Sequence, residues 1–300
     1  MGRFGGVRRG SAVDAMLLGT VLLWALNVTV TKWMFEHGWK PLSYGTIRYG
    51  LAILLFWAFT WWRERSFRVE RRDWRLVALA GLCIFANQVC FVYAVKLANA
   101  STVAMLLGAT PVFMGLIALA FGLGRLQSTF WIGAVITFAG VTLIAFASGA
   151  GLSGSLLGNL LGIGTAFTWA CYSQSIAPLM KRYSPFRISS VVLLIGWIPL
   201  AAVGAHQVPE QHVGWGPLMW IAFLYAVIGP LFLTNILWFK AIDIVGAPRA
   251  SLFANLQPFF SVFFALVLLS ESLHGMEIAG GILIFAGIVL ERVTHVAPVE

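Results

Sequence analysis

Hydrogen-bonding side chains lie inside long apolar stretches of this chain, at spacings that group them on common faces. Trp24, Asn27 and Thr31 stand at i, i+3 and i+7, on one side of a helix. Trp169 and Tyr172 repeat the first interval. Asn87 and Gln88 are adjacent, as are Thr234 and Asn235, with Trp238 one turn further on; Asn255 and Gln257 follow. All are uncharged. Polar groups in hydrocarbon are costly and usually face a protein interior or a cavity. A cavity lined by such a set would hold the ammonium and carboxylate of a zwitterion and stack on an apolar or aromatic side chain. The plainer role for each amide is bonding one helix to another. Taken as a set, they are expected to bind a small organic solute.

Reaction chemistry is not indicated. The eleven acids and five histidines all fall in loops or near the ends of apolar runs. Cys83, Cys90 and Cys171 lie within apolar runs and form no CxxC or Cys/His pattern, so neither a metal nor a disulfide framework is expected. No HExxH, GxSxG or Walker-type glycine loop occurs. Catalytic residues and cofactors are therefore expected to be none. A proton relay would want a carboxylate or imidazole at mid-membrane, and none is placed there, which favours facilitated diffusion or exchange.

The elements that position these residues are long and apolar. Of 300 residues 60% are hydrophobic and 10% charged, against roughly a quarter charged in soluble proteins. Mean hydropathy is +0.88. About 20 apolar residues cross a bilayer as a helix. Runs of that length are read at 14–34, 42–62, 75–96, 101–122, 128–148, 156–180, 187–205, 216–241, 248–270 and 276–293. They are too long and too continuously apolar for barrel strands. The fold class expected is an all-α integral membrane protein of ten transmembrane helices. The basic, Gly-rich start up to Arg9 leads into a run too long for a signal-peptide core and is read as preceding a retained first span.

Charge sets the orientation. With the N-terminus inside, only Lys32, Lys40, Arg48 and Lys96 fall on the outer side, leaving 16 of the 20 Lys and Arg within. Both termini are thus expected in the cytoplasm. The net charge of +9 is accounted for by this bias and calls for no nucleic-acid partner. The Arg-rich segment 63–75 reads as an anchor at anionic lipid headgroups. Arg48, a few residues into the second span, either snorkels outward or meets a substrate carboxylate.

The chain also repeats itself. Residues 94–113 and 241–260 share Ala94/Ala241, Ala100/Ala247, Pro111/Pro258 and Phe113/Phe260 at an offset of 147. At offset 145, Gly19-Thr20 and Trp24-Ala25 meet Gly164-Thr165 and Trp169-Ala170. Asn87-Gln88 falls opposite Thr234-Asn235 at offset 147. Each half, 1–150 and 151–300, then holds five spans. An odd number inverts the second half, and inverted repeats typify alternating-access carriers with a site between the halves. Pro111 and Pro258, near the middle of their spans, are expected to kink or hinge them. Pro178, Pro199 and Gly229-Pro230 are read as further breaks. Gly158-x-x-x-Gly162 is read as a close helix approach, within the chain or in a homodimer.

The Trp-Ala pair in each first helix and the Ala…Ala…Pro pattern in each fourth resemble the drug/metabolite transporter superfamily, EamA type. Glu271 matches the acidic residue after the Pro-containing helix in that family, whereas Gly124 stands there in the first half. The resemblance spans roughly 15–293 and is similar, within the superfamily, to the YddG-like aromatic amino-acid exporters. It implies export of amino acids across a bacterial inner membrane as a multi-pass protein. A drug or other metabolite carrier, or a channel-like facilitator, remains open.

Overall fold

The computed structural model describes residues 4–121, 128–147, 154–212, 214–245, 253–254 and 256–295, and among them there is no strand. The helices are α1 (Phe4–Glu36), α2 (Pro41–Glu64), α3 (Trp74–Leu97, entered through a 3-10 turn at Arg71–Asp73), α4 (Ala100–Leu107), α5 (Thr110–Ala120), α6 (Ser128–Ala147), α7 (Gly154–Met180), α8 (Pro185–Gly204), α9 (Pro217–Val227), a π-helical turn (Ile228–Leu233), α10 (Thr234–Val245), α11 (Gln257–Leu268) and α12 (Gly275–His295).

Local chemistry sets several of the ends. Proline occupies the first turn of α2, α5, α8, α9 and α11, where its missing N–H costs nothing. Ser184 caps α8 by accepting from the Arg187 N–H at 3.1 Å. Gly38, at φ +104°, turns the chain between α1 and α2 in a conformation that L side chains rarely adopt.

Among the described residues six helical stretches are long and apolar enough to cross a membrane, namely Val13–Glu36, Pro41–Glu64, Arg71–Leu97, Ala100–Ala120, Pro185–Gly204 and Pro217–Trp238. Trp131–Leu143, Gln257–Leu268 and Gly275–Gly287 are apolar but shorter. Helix α7 has 27 residues, yet its Asn159, Thr165, Thr168, Ser173, Gln174 and Ser175 make it too polar to join them on composition. Large apolar side chains such as Leu54, Leu82, Val135, Ile221 and Phe263 face outward. That surface suits lipid and not water.

The span read around Pro111 is interrupted at Gly108–Ala109. Helix α4 ends at Leu107, Gly108 and Ala109 intervene, and Pro111 stands in the first turn of a new helix, α5. Pro258 likewise stands in the first turn of α11. The expected kink is therefore a helix start. A proline removes the donor for the carbonyl four residues back, and a fresh helix absorbs that loss at its own N-terminus. The break at Gly108 lies against Pro258, whose Cγ would be 3.5 Å from a Cβ at Gly108. Pro178 and Pro199, also expected to break their helices, sit inside continuous ones. Gly229-Pro230 produces the π-helical turn.

The packing follows the repeat. Helix α3 packs on α7, and their counterparts α10 and α1 pack together; α5 lies on α7 as α11 lies on α1. Helices α2 and α8 pair with each other, as do α6 and α12. Glycines allow the closest crossings. A Cβ at Gly140 would come within 2.5 Å of the Gly280 carbonyl oxygen, and one at Gly287 within 2.5 Å of the Gly133 carbonyl oxygen. Gly158 and Gly162 face Ala98 and Leu106 within the chain. Gly140→Ala must therefore push backbone from backbone between α6 and α12. It should cost about 1–3 kcal/mol, read as a lower thermal midpoint in detergent. An unchanged midpoint would show this crossing to be looser than drawn.

Candidate functional site

Helices α1, α7 and α10 meet in an aromatic cluster. The Trp24 ring of α1 lies 6.4 Å from that of Trp169 in α7, edge-on, and 5.2 Å from that of Trp238 in α10. Trp169 in turn lies 5.3 Å from Tyr172. The tryptophans are half-buried and Tyr172 is buried. Trp24 Nε1 donates to Thr234 Oγ1 at 3.1 Å and to the Pro230 carbonyl at 3.3 Å. The repeat-equivalent contact is made by Asn87, whose Nδ2 donates to the Thr165 carbonyl at 2.9 Å and to Thr168 Oγ1 at 3.3 Å. Each half's third-span polar residue thus ties to the other half's first helix.

The remaining expected residues divide by what they bond. Thr31 is shared with Tyr44, Oγ1 to phenol oxygen at 2.9 Å. Asn235 Nδ2 donates to the Leu231 carbonyl of its own helix. Gln88 Nε2 donates to Asn87 Oδ1 at 3.1 Å, leaving Gln88 Oε1 without a partner, and the buried Asn27 Oδ1 has none either. Buried amide oxygens without donors are rare. These two are the acceptors the site leaves open. Gln257 is half-buried in the first turn of α11, and Asn255 lies outside the described residues.

Other groups in the site went unnoticed by composition and spacing. Thr165 and Thr168 carry the Asn87 contact, and Thr165 was already visible as the repeat partner of Thr20. Tyr225 donates from its hydroxyl to the Leu23 carbonyl at 2.8 Å. Ser261 of α11 donates to the Ala25 carbonyl at 3.2 Å. No local signal marks the last two.

Two ends enclose the cluster. At the 37–42 end, Lys40 pairs with Glu210, the Lys40 N–H meets Gln211 Oε1 at 2.8 Å, and the Leu42 N–H meets Gln207 Oε1 at 2.9 Å. Trp39 stacks there on Trp215 and Phe223 at 4.5 and 4.8 Å. The hydrogen bond from Lys40 and its charge hold the Glu210 carboxyl below the usual carboxylate range. At the 64–73 end, Asp73 pairs with Arg182 and accepts from the Tyr183 hydroxyl at 2.6 Å, and Glu64 pairs with Arg187 at 2.8 Å. Burial, then the bond to Asp73, raise the Tyr183 phenol. Beside this second end a recess of about 420 Å³ is lined by Gln174, Ala177, Pro178, Lys181 and Arg182.

A model of the EamA-like transporter family matches the chain twice, over residues 12–146 and 156–291. The chain belongs to the EamA-like transporter family. It is a transporter and not an enzyme, and its family is one of multi-pass membrane proteins. This EamA-like transporter is 25% identical over 290 residues to an "Uncharacterized transporter" of Archaeoglobus fulgidus, covering 93% of this chain and 97% of the relative. It is 27% identical over 285 residues to a "Probable amino-acid metabolite efflux pump" of Salmonella typhimurium, covering 91% and 92%. A protein of the same description from Escherichia coli is 26% identical over 297 residues, covering 93% and 94%. A solved crystal structure matches with a TM-score of 0.63 at 19% identity, over 95% of this chain and 97% of that one, a likeness of fold.

Proposed function

We propose that the chain exports small organic solutes, amino acids including aromatic ones foremost, from the cytoplasm across a bacterial inner membrane. In this reading it has ten spans in two inverted five-helix repeats, 1–150 and 151–300, with both termini inside, and it works by alternating access to a site between the repeats. The reading rests above all on the Trp24–Trp169 contact, because equivalent residues of the two halves meet face to edge at one place. Exchange-symmetric packing of α1–α10 with α3–α7 supports the repeat. Relatives described as amino-acid metabolite efflux pumps support the substrate class. The aromatic preference rests on the ring-rich lining and the two open amide acceptors, which suit a stacked side chain and an ammonium group.

In the proposed orientation the 37–42 end is the closed outer face. The recess at Gln174–Arg182 is then the cytoplasmic vestibule from which solute is loaded. Among the described residues no carboxylate takes part in the central cluster, so exchange or facilitated diffusion is the expected mode.

Uptake of labelled phenylalanine and threonine into proteoliposomes, with and without excess unlabelled aromatic amino acids, tests this. Saturable, competed flux is expected, and Trp169→Ala should lower its rate about 10-fold or more through loss of stacking and positioning. Absence of flux of either amino acid would overturn the amino-acid assignment and turn the search to drugs and other metabolites. Non-saturating flux would indicate a channel.

A further inference from the structure

Arg48 is buried, at 3% exposure, about 10 Å along α2 from its first residue. It does not snorkel outward as its position near a helix end suggested. Its Nε donates to the Ala226 carbonyl of α9 at 3.0 Å, and its guanidinium stands 5.3 Å above the Tyr44 ring. The carbonyl is available for a definite reason. Pro230, four residues on, has no N–H to return to Ala226, and the helix widens into its π turn there. Among the described residues no carboxylate pairs with Arg48, and no group accepts from its Nη nitrogens. A guanidinium carries five N–H donors in a planar fork that suits a carboxylate, and here one is in use.

Such a residue is expensive to hold within the membrane, and an unpaired intramembrane cation is a functional group by default. Its surroundings connect it to the central cluster. Tyr44, under the guanidinium, bonds Thr31; Tyr225, next to the residue whose carbonyl Arg48 holds, bonds the Leu23 carbonyl. These two contacts bracket Asn27 on α1, whose Oδ1 lacks a donor. Tyr44 and Tyr225 thus link the Arg48 guanidinium to the turns of α1 on either side of Asn27, a donor and an acceptor of the kinds that suit the two ends of a zwitterion. The 37–42 end lies beside this region, with Trp39 edge-on to Tyr44 at 6.0 Å between ring centres.

We propose that Arg48 recognises the carboxylate of the transported solute, so that the transporter selects organic molecules bearing that group. This rests on the carrier reading above and adds to it the residue that sets acid specificity. A solute moving from the vestibule past the tryptophans meets Arg48 before the outer seal, and its carboxylate supplies the charge that the fold withholds.

The test compares labelled phenylalanine with phenylalaninamide in proteoliposomes of wild type, Arg48→Gln and Arg48→Lys. Wild type should prefer the acid by about 10-fold or more, as sites built around a hydrogen-bonding pair reject partners lacking it. Arg48→Gln should lose that preference, acid flux falling about 10-fold while amide flux holds. Arg48→Lys should keep part of it. If Arg48→Gln fails to fold, judged by its thermal midpoint in detergent, the preference ratio of Arg48→Lys decides: a reduced ratio supports the proposal and an unchanged ratio overturns it. Equal losses of acid and amide flux in Arg48→Gln would overturn it, showing only a staple for the Ala226 carbonyl. Saturable wild-type flux without acid preference would also overturn it while sparing the carrier reading. Absence of flux of both compounds would overturn the amino-acid assignment and this proposal with it.

Discussion

Alanine in place of Trp24 should lower transport by about 10-fold or more and cost about 3–5 kcal/mol in stability, the range for truncating a packed tryptophan. The ring is the one element in contact with both Trp169 and Trp238, and its N–H reaches Thr234 and the Pro230 carbonyl. Truncation removes the stacking surface of the site and the tie between α1 and α10 together. Trp24→Phe separates these effects. It keeps a ring and removes the N–H, so it should cost only about 1 kcal/mol in stability. If flux also stays near wild type in Trp24→Phe, stacking is the function of the side chain; if it falls as in alanine, the N–H is. Thermal midpoints in detergent and initial rates in proteoliposomes make the comparison. Wild-type flux in Trp24→Ala would remove the aromatic cluster from the solute path.

Glu271→Ala should be the most damaging change outside the centre. Its carboxylate accepts from the Ala100 N–H at 2.8 Å, the Ser101 N–H at 2.9 Å and the Ser101 hydroxyl at 2.6 Å. Those are the first residues of α4, a helix of only 8 residues with two residues between it and the end of α3. Helix N-termini present unpaired donors and a partial positive charge, which a carboxylate satisfies on both counts. Losing these charge-assisted bonds should cost about 2–4 kcal/mol. Glu271→Gln retains one acceptor and should fall between. A thermal midpoint unmoved by alanine would show that water replaces the carboxylate freely.

Glu271 also shows how far the sequence could be read. Its match to a family position was visible, whereas its partners lie some 170 residues earlier and only folding discloses them. Trp24 and Trp169 were paired by the repeat, and they meet. Asn87 and Thr234 were paired in the same way, and each bonds the first helix of the opposite half. Repeats are legible because the same local pattern occurs twice. Contacts that depend on a proline in a distant helix are not. Arg48 was read as a cation near a helix end because nothing around residue 48 announces the freed carbonyl of Ala226. Pro111 was read as a kink because it stands near the middle of the apolar run 101–122, and the run does not show that one helix ends at Leu107 and another begins at Thr110. Asn235 looked identical to Asn87 as a polar residue in an apolar run, yet its amide turns to its own Leu231 carbonyl. A choice between a partner four residues away and one across the bundle is made by the tertiary arrangement.

The Glu271 tie has no twin, since Gly124 stands at the matching place in the first half. Two halves with identical bonds would leave a rocking carrier equally at ease facing either way. In the proposed alternating-access cycle, a posture that keeps the three Glu271 hydrogen bonds is favoured over one that breaks them, and in the proposed orientation that biases the empty carrier toward the cytoplasm. Each 1.4 kcal/mol of such preference is a tenfold bias in dwell time. Detailed balance forbids that bias from pumping: for a passive carrier, the ratio of maximal rate to half-saturating concentration stays the same in both directions. What it does set is rectification of the individual constants. Where return of the empty carrier limits turnover, the carrier should show a greater maximal rate, and a correspondingly higher half-saturating concentration, when loaded from the inner face than from the outer one.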